Sequence, residues 1–266
     1  MSDSWRQPRR LLMASLGALT VFYLLAPTLV IVPMSFTQAH ILSFPPEGFS
    51  LQWYERMFTD RQWSSGMVNS LEVAVLTAML ATVLGTLAAL GLTRGRFPGR
   101  NIVNAIALTP LIVPVVIIAI GMFSLFVQWR ISGSLLGLVL AHTALALPFV
   151  IVNVGTSLRT MDRNLELAAA NLGADPRRSF MRITLPIILP GVLAGAIFSF
   201  ITSWDEVVVA IFLTSARFRT LPVEMWEQVR QVVDPTVAAV STTLLVVTTV
   251  LLLLLLVVRR QAAPVR

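Results

Sequence analysis

Two adjacent carboxylates in an otherwise apolar stretch are the first residues whose types could do chemistry. Asp205 and Glu206 lie within residues 187–213, and Val207-Val208-Val209-Ala210-Ile211-Phe212-Leu213 still follow them. An acid at membrane depth costs about 3 kcal/mol or more, so it faces a cavity or a partner. On a continuous helix counted from Ile187, the pair sits about 28 Å along, in the outer half of a bilayer. Ser199, Thr202, Ser203, Glu206 and Ala210 recur at helical spacing as a small, polar stripe, whereas Asp205 falls beside Phe198, Ile201 and Phe212. Such a stripe suits the wall of a solute path, with Glu206 the preferred contact. The alternative is a structural pair bonded to backbone amides at a helix break.

Other chemistries are closed by what the chain lacks. All twenty basic residues are Arg, with no Lys. A Walker A loop needs a Lys to reach nucleotide phosphates, so ATP is not bound here in that way. A Schiff-base lysine is equally excluded. There is no Cys, which removes thiol catalysis, iron–sulfur ligation and disulfides. With only His40 and His142, an imidazole-rich metal site is not expected. His142, Glu72 and the scattered Met residues read as helix packing or helix ends.

The elements that must position the acids are membrane spans. Hydrophobic residues make up 56% of the 266 and charged residues 12%, with a mean hydropathy of +0.81. A soluble domain carries about 25% charged residues. Six segments reach the roughly 20 apolar residues that a span needs: 11–32, 67–92, 102–127, 135–154, 187–213 and 237–258. The first is too long for a signal-peptide core. The reading is an all-α polytopic membrane protein, one transmembrane domain over 1–266. Pro110, Pro114, Pro148 and Pro190 are expected to kink their helices, which suits a polar path through the bundle.

Arginine placement sets orientation. Arg6, Arg9, Arg10, Arg94, Arg96, Arg100, Arg159, Arg163, Arg177, Arg178, Arg182, Arg259, Arg260 and Arg266 fall on one side. The other side holds Arg56, Arg61, Arg130, Arg217, Arg219 and Arg230, largely offset by Glu47, Glu55, Asp60, Glu224, Glu227 and Asp234. Both termini are therefore expected in the cytoplasm. The net charge of +7 is accounted for by topology and lipid headgroups, not by nucleic acid. Trp53, Tyr54, Trp63, Trp129 and Trp226 are expected at the membrane interface. Residues 221–233 suit an amphipathic surface helix, and Asp234-Pro235 should open the last span.

The segment 160–190 is too long for a simple turn. Asp162 can cap a helix that runs to Leu172, with Gly173 in the left-handed C-terminal position. Asp175-Pro176 should start a second short helix to about Ile183, and Leu185-Pro186 leads into the fifth span. Leu165, Ala168, Ala169 and Leu172 share one face of the first helix, suited to close approach by another backbone or to packing within the chain.

Ala168-Ala169, Gly173 and Ile183-Thr184-Leu185-Pro186 carry the spacing of the E-A-A-x3-G-x9-I-x-L-P loop, and the chain thereby resembles ABC importer permeases. Leu167 occupies the motif's Glu position, and Glu166 lies one residue earlier, about 100° around a helix. Gly48-Phe49-Ser50-Leu51, Arg96-Phe97-Pro98-Gly99-Arg100, Ala146-Leu147-Pro148-Phe149-Val150, Ser203-Trp204-Asp205-Glu206 and Asp234-Pro235 look like the spermidine/putrescine-type subgroup. The resemblance implies a six-helix subunit of the bacterial inner membrane, without cofactor of its own, whose loop at about 155–190 docks on an ATPase. It implies a second, similar permease, two ATPase subunits that bind ATP and Mg, and a periplasmic solute-binding protein. Competing readings are a membrane-embedded enzyme and a proton-coupled carrier. The first lacks a catalytic constellation; the second leaves the structured loop without a task.

Overall fold

The computed structural model describes residues 6–231 and 234–261. Of the positively charged termini, Arg266 lies outside the described residues, as do Val232 and Val233 of the expected surface helix. Among the described residues there is no β-strand, only an isolated bridge between Ser215 and Phe218. The helices are α1 (Arg6–Met34), α2 (Gln52–Thr59), α3 (Arg61–Arg94), α4 (Arg100–Leu108), α5 (Val115–Gln128), α6 (Leu135–Thr160), α7 (Asn164–Asn171), α8 (Pro176–Ser179), α9 (Leu185–Trp204), α10 (Val208–Leu213), α11 (Leu221–Gln231) and α12 (Thr236–Gln261). Five are long and apolar enough to cross a membrane, or six if α4 and α5 are counted as one bent span.

The chain forms two compact units. One comprises Met1–Asp60 with Glu227–Thr243. In it, Trp53 is buried and donates its indole N–H to the Thr37 carbonyl at 2.8 Å, and Tyr54 bonds Ser35 at 2.7 Å. Arg56 pairs with Asp234 at 2.7 Å. Asp234 also accepts from the Thr236 amide at 2.8 Å, the cap expected for the last span.

The second unit comprises Arg61–Trp226 with Leu244–Arg266. Its centre is the mutual packing of α3, α6 and α9. Small residues make this possible: a Cβ at Gly85 would meet Val150 Cβ at 2.6 Å, and one at Gly195 would meet Val150 Cα at 3.0 Å. Close helix approach through Gly and Ala is how spans associate where lipid is as apolar as the side chains. Ala81, Ala89, Ala146, Val150, Val154 and Ile188 form one core; Val73, Ala119, Leu138, Val139, Val209 and Leu213 belong to a second, where α5 and α10 pack.

Three expectations need correction. The segment 102–127 is not one helix, because α4 and α5 meet at 103°. Pro110 sits in a 3-10 turn over Thr109–Leu111 and Pro114 precedes α5; together they remove two amide donors where a kink with a single proline would keep one. Trp63 is buried, as is Trp53, so those rings serve the core rather than the lipid interface; Trp129 and Trp226 are exposed. Finally, the fifth span is not continuous through the acids: α9 stops at Trp204 and α10 begins at Val208.

Candidate functional site: a buried polar break and a capped loop

The break between α9 and α10 creates its own chemistry. When a helix restarts, its first amides lack intrahelical acceptors. Glu206 supplies them: one carboxylate oxygen accepts from Val208 and Val209, each at 3.0 Å, and the other from Ala210 at 3.0 Å. The pair of acids therefore divides. Glu206 turns inward and caps α10, while Asp205, next in the chain, is exposed.

The polar stripe also turns inward. Ser199 is fully buried and donates to the Gly195 carbonyl at 2.8 Å. Ser203 is 4% exposed and lies 2.8 Å from Nδ1 of His142. Thr202 is half-buried. The fully buried ring of His142, on α6, points Nε2 at Glu206 over 3.7 Å, with no hydrogen-bond partner for that nitrogen. Sequence reasoning assigned His142 to packing. No linear signal joins it to Ser203 and Glu206, more than 60 residues away; only the contact of α6 with α9 does. Ser203, His142 and Glu206 do not form a hydrolytic centre, since the hydroxyl is buried and the carboxylate already serves three amides.

The second part of the site is the loop between α6 and α9. Asp162 accepts from the Asn164 amide at 2.9 Å and opens α7. Gly173 ends that helix at φ +84°, with Ala174 N–H bonded to Ala169 O at 3.0 Å and Gly173 N–H to Ala170 O at 2.9 Å. This is the Schellman pattern, which places glycine where a Cβ would be strained. Asp175 accepts from Arg178 N at 2.9 Å, and Pro176 is the first residue of α8. The second short helix does not stop near Ile183 as expected. A π turn over Phe180–Thr184, which contains Ile183, carries it into α9 through Leu185 and Pro186.

Within this loop Glu166 faces inward. Its carboxylate pairs with Arg94 at 2.6 Å and accepts the Thr184 hydroxyl hydrogen bond, anchoring α7 to the end of α3 and to the π turn. Ala169 is buried beside it, while Ala168 is exposed. Leu167 and Leu172, at 57% and 88% exposure, project outward with Leu165 and Met181. The loop thus presents apolar side chains from a helix whose own acid is internally paired.

The comparisons with known proteins agree with this architecture. A family model described as the binding-protein-dependent transport system inner membrane component matches residues 81–263. The chain is 34% identical over 244 residues to the putrescine transport system permease protein PotI of Escherichia coli (strain K12), covering 89% of this chain and 85% of that protein. It is 34% identical over 221 residues to the spermidine/putrescine transport system permease protein PotC of Haemophilus influenzae, covering 83% and 85%. Its fold matches a chain of a bacterial ABC transporter involved in alginate import, with a TM-score of 0.71 at 16% identity over 98% of both chains. With apolar spans, a Schellman-capped loop at the E-A-A position and these relatives over most of its length, the chain belongs to the inner membrane components of binding-protein-dependent transport systems, the multi-pass permease subunits of ABC importers.

Proposed function

We propose that residues 1–266 act as one permease domain that forms half of a solute pathway and couples it to a separate ATPase through the α7–α8 loop. The observation that carries this reading is the loop itself. Asp162 at its start, a left-handed Gly173 at its end and the Arg94–Glu166 pair hold α7 while Leu167 and Leu172 stay exposed. A helix so held, with an outward apolar crown, suits insertion into a cleft of another subunit. Ala168, Ala169, Gly173, Ile183, Leu185 and Pro186 shape that element, and Glu166 anchors it from inside. ATP and Mg are held by two partner ATPases, a second and similar permease completes the pathway, and a periplasmic binding protein delivers solute. Both termini lie in the cytoplasm.

The solute is a polyamine of the spermidine or putrescine kind, or a similar small organic solute. Support comes from the relatives' substrates and from Asp205, the exposed carboxylate at the break. Ammonium groups lose hydration in a narrow path, and a carboxylate offsets that loss. Exposure favours Asp205 over Glu206 as the solute contact, since Glu206 caps α10; Thr202 is half-buried, and Ser199 and Ser203 are buried. Reconstitution with the cognate ATPase, second permease and binding protein tests this: solute-loaded binding protein should stimulate ATP hydrolysis and drive labelled putrescine uptake. Hydrolysis that ignores the loaded binding protein would reject the coupling role.

A further inference from the structure

The helices on either side of the coupling loop meet again at their far ends. His142 lies about 18 residues, roughly 27 Å, before the end of α6, and Ser203 an equal distance beyond the start of α9. The two helices pack along this length. At the loop end they are joined by α7, α8 and the π turn. At the other end they are joined by the 2.8 Å bond between His142 Nδ1 and Ser203 Oγ.

That second junction is incompletely closed. A neutral imidazole has one donor and one acceptor nitrogen. If Ser203 donates to Nδ1, the proton sits on Nε2 and needs an acceptor. Glu206 has one to give: its first oxygen serves Val208 and Val209, but its second serves only Ala210. The acceptor is 3.7 Å from Nε2, beyond the ~3.2 Å limit of such a bond. A buried polar atom left unpaired in this way calls for a physical reason. A movement of under ~1 Å would complete the bond, and it would move Glu206 together with the α10 amides it caps. Asp205 shares the break.

We infer that His142 is a positioning residue for transport: closure of its Nε2 onto Glu206 ties the α9–α10 break to α6 and so to the coupling loop. A load on Asp205 displaces the break, changes the His142–Glu206 separation, and is felt by both helices that lead to α7 and α8. The inference rests on the proposed coupling role of that loop. It concerns one nitrogen of one ring, which makes it separable.

Gln and Asn divide the imidazole between them. The Gln amide reaches the position of Nε2, whereas the Asn amide reaches that of Nδ1. The experiment is uptake of labelled putrescine per ATP hydrolysed by the full importer in proteoliposomes, with wild type, His142→Gln and His142→Asn. His142→Gln should stay within about twofold of wild type, and His142→Asn should fall about tenfold while still hydrolysing ATP. Equal ratios for the two variants overturn the inference and leave the transport function standing. A wild-type assembly that hydrolyses ATP without uptake would instead overturn the function. Should both variants fail to assemble, Ser203→Ala tests the same Nε2–H with ring and carboxylate in place, because without the hydroxyl that donates to Nδ1 the proton is no longer held on Nε2. It should lower uptake per ATP about threefold, and an unchanged ratio overturns the inference.

Discussion

The Glu166 carboxylate lies 2.6 Å from the Arg94 guanidinium, so the helix that meets the ATPase in the proposed function is fastened to the end of α3. Both side chains are partly exposed, and such a pair is worth about 1 kcal/mol. Its value is positional. Glu166→Gln should leave insertion intact, lower the melting temperature of the assembly by a few degrees, and reduce uptake about fivefold. Arg94→Ala combined with Glu166→Gln should cost no more than either alone. Full additivity in a double-mutant cycle would show that the pair does not act as a unit.

Gly173 at φ +84° gives a graded test of the loop. Nothing lies within 4 Å of a Cβ built there, so Gly173→Ala adds strain without a clash, about 1 kcal/mol. It should weaken ATPase association modestly. Gly173→Asp adds charge beside the apolar crown and should abolish co-purification with the ATPase while the subunit still inserts. Pull-down after membrane fractionation reads both.

The two acids at the break should separate by phenotype. Asp205→Asn keeps shape and removes charge from the exposed side chain, so uptake should drop about tenfold with assembly preserved. Glu206→Gln turns one of the two oxygens that serve three amides into a donor, and should destabilise the subunit by about 1–2 kcal/mol. Thermal stability in detergent and uptake in parallel decide the matter. Normal uptake by Asp205→Asn would remove the cation-contact role.

These acids also show where sequence reasoning stops. Asp162, Gly173, Asp175 and Pro176 were legible because caps are local: donor, acceptor and backbone angle lie within a few residues. The break after Trp204 was legible only as the alternative to a continuous helix, an acid bonded to backbone amides, because the small polar periodicity runs on to Ala210 and hides the end of the helix. Glu206 and His142 belong to one site only through the packing of α6 on α9, which no spacing encodes. The inward turn of Glu166 likewise depends on Arg94, 72 positions away in the chain.

Packing between α3 and α6 should be intolerant of bulk. A Cβ at Gly85 would stand 2.6 Å from that of Val150, and overpacking of this kind costs about 1–3 kcal/mol. Gly85→Ala should reduce the amount of folded subunit in fluorescence-detected size exclusion, and Gly85→Ala with Val150→Ala should recover it. Gly91, with nothing within 4 Å of an added Cβ, should accept Ala without loss.

Orientation can be read by thiol labelling, because the chain has no Cys. Phe49 and Ala216 are exposed, and Cys at either should react with an impermeant reagent from outside the cell. Cys at Phe97 or Arg177, also exposed, should react only after the membrane is opened. The reverse pattern would invert the topology. Thr220 is buried and would be silent from either side.

The 103° bend at Pro110–Pro114 bears on how the subunit survives in lipid. The straight portion, α5, has 14 residues and reaches only about 21 Å, less than the ~30 Å hydrocarbon thickness. Peptide groups of the bend that no helical ladder uses cannot be left against acyl chains. A solitary copy is therefore expected to have a shorter lifetime in the membrane than one whose corner is shielded by another protein surface.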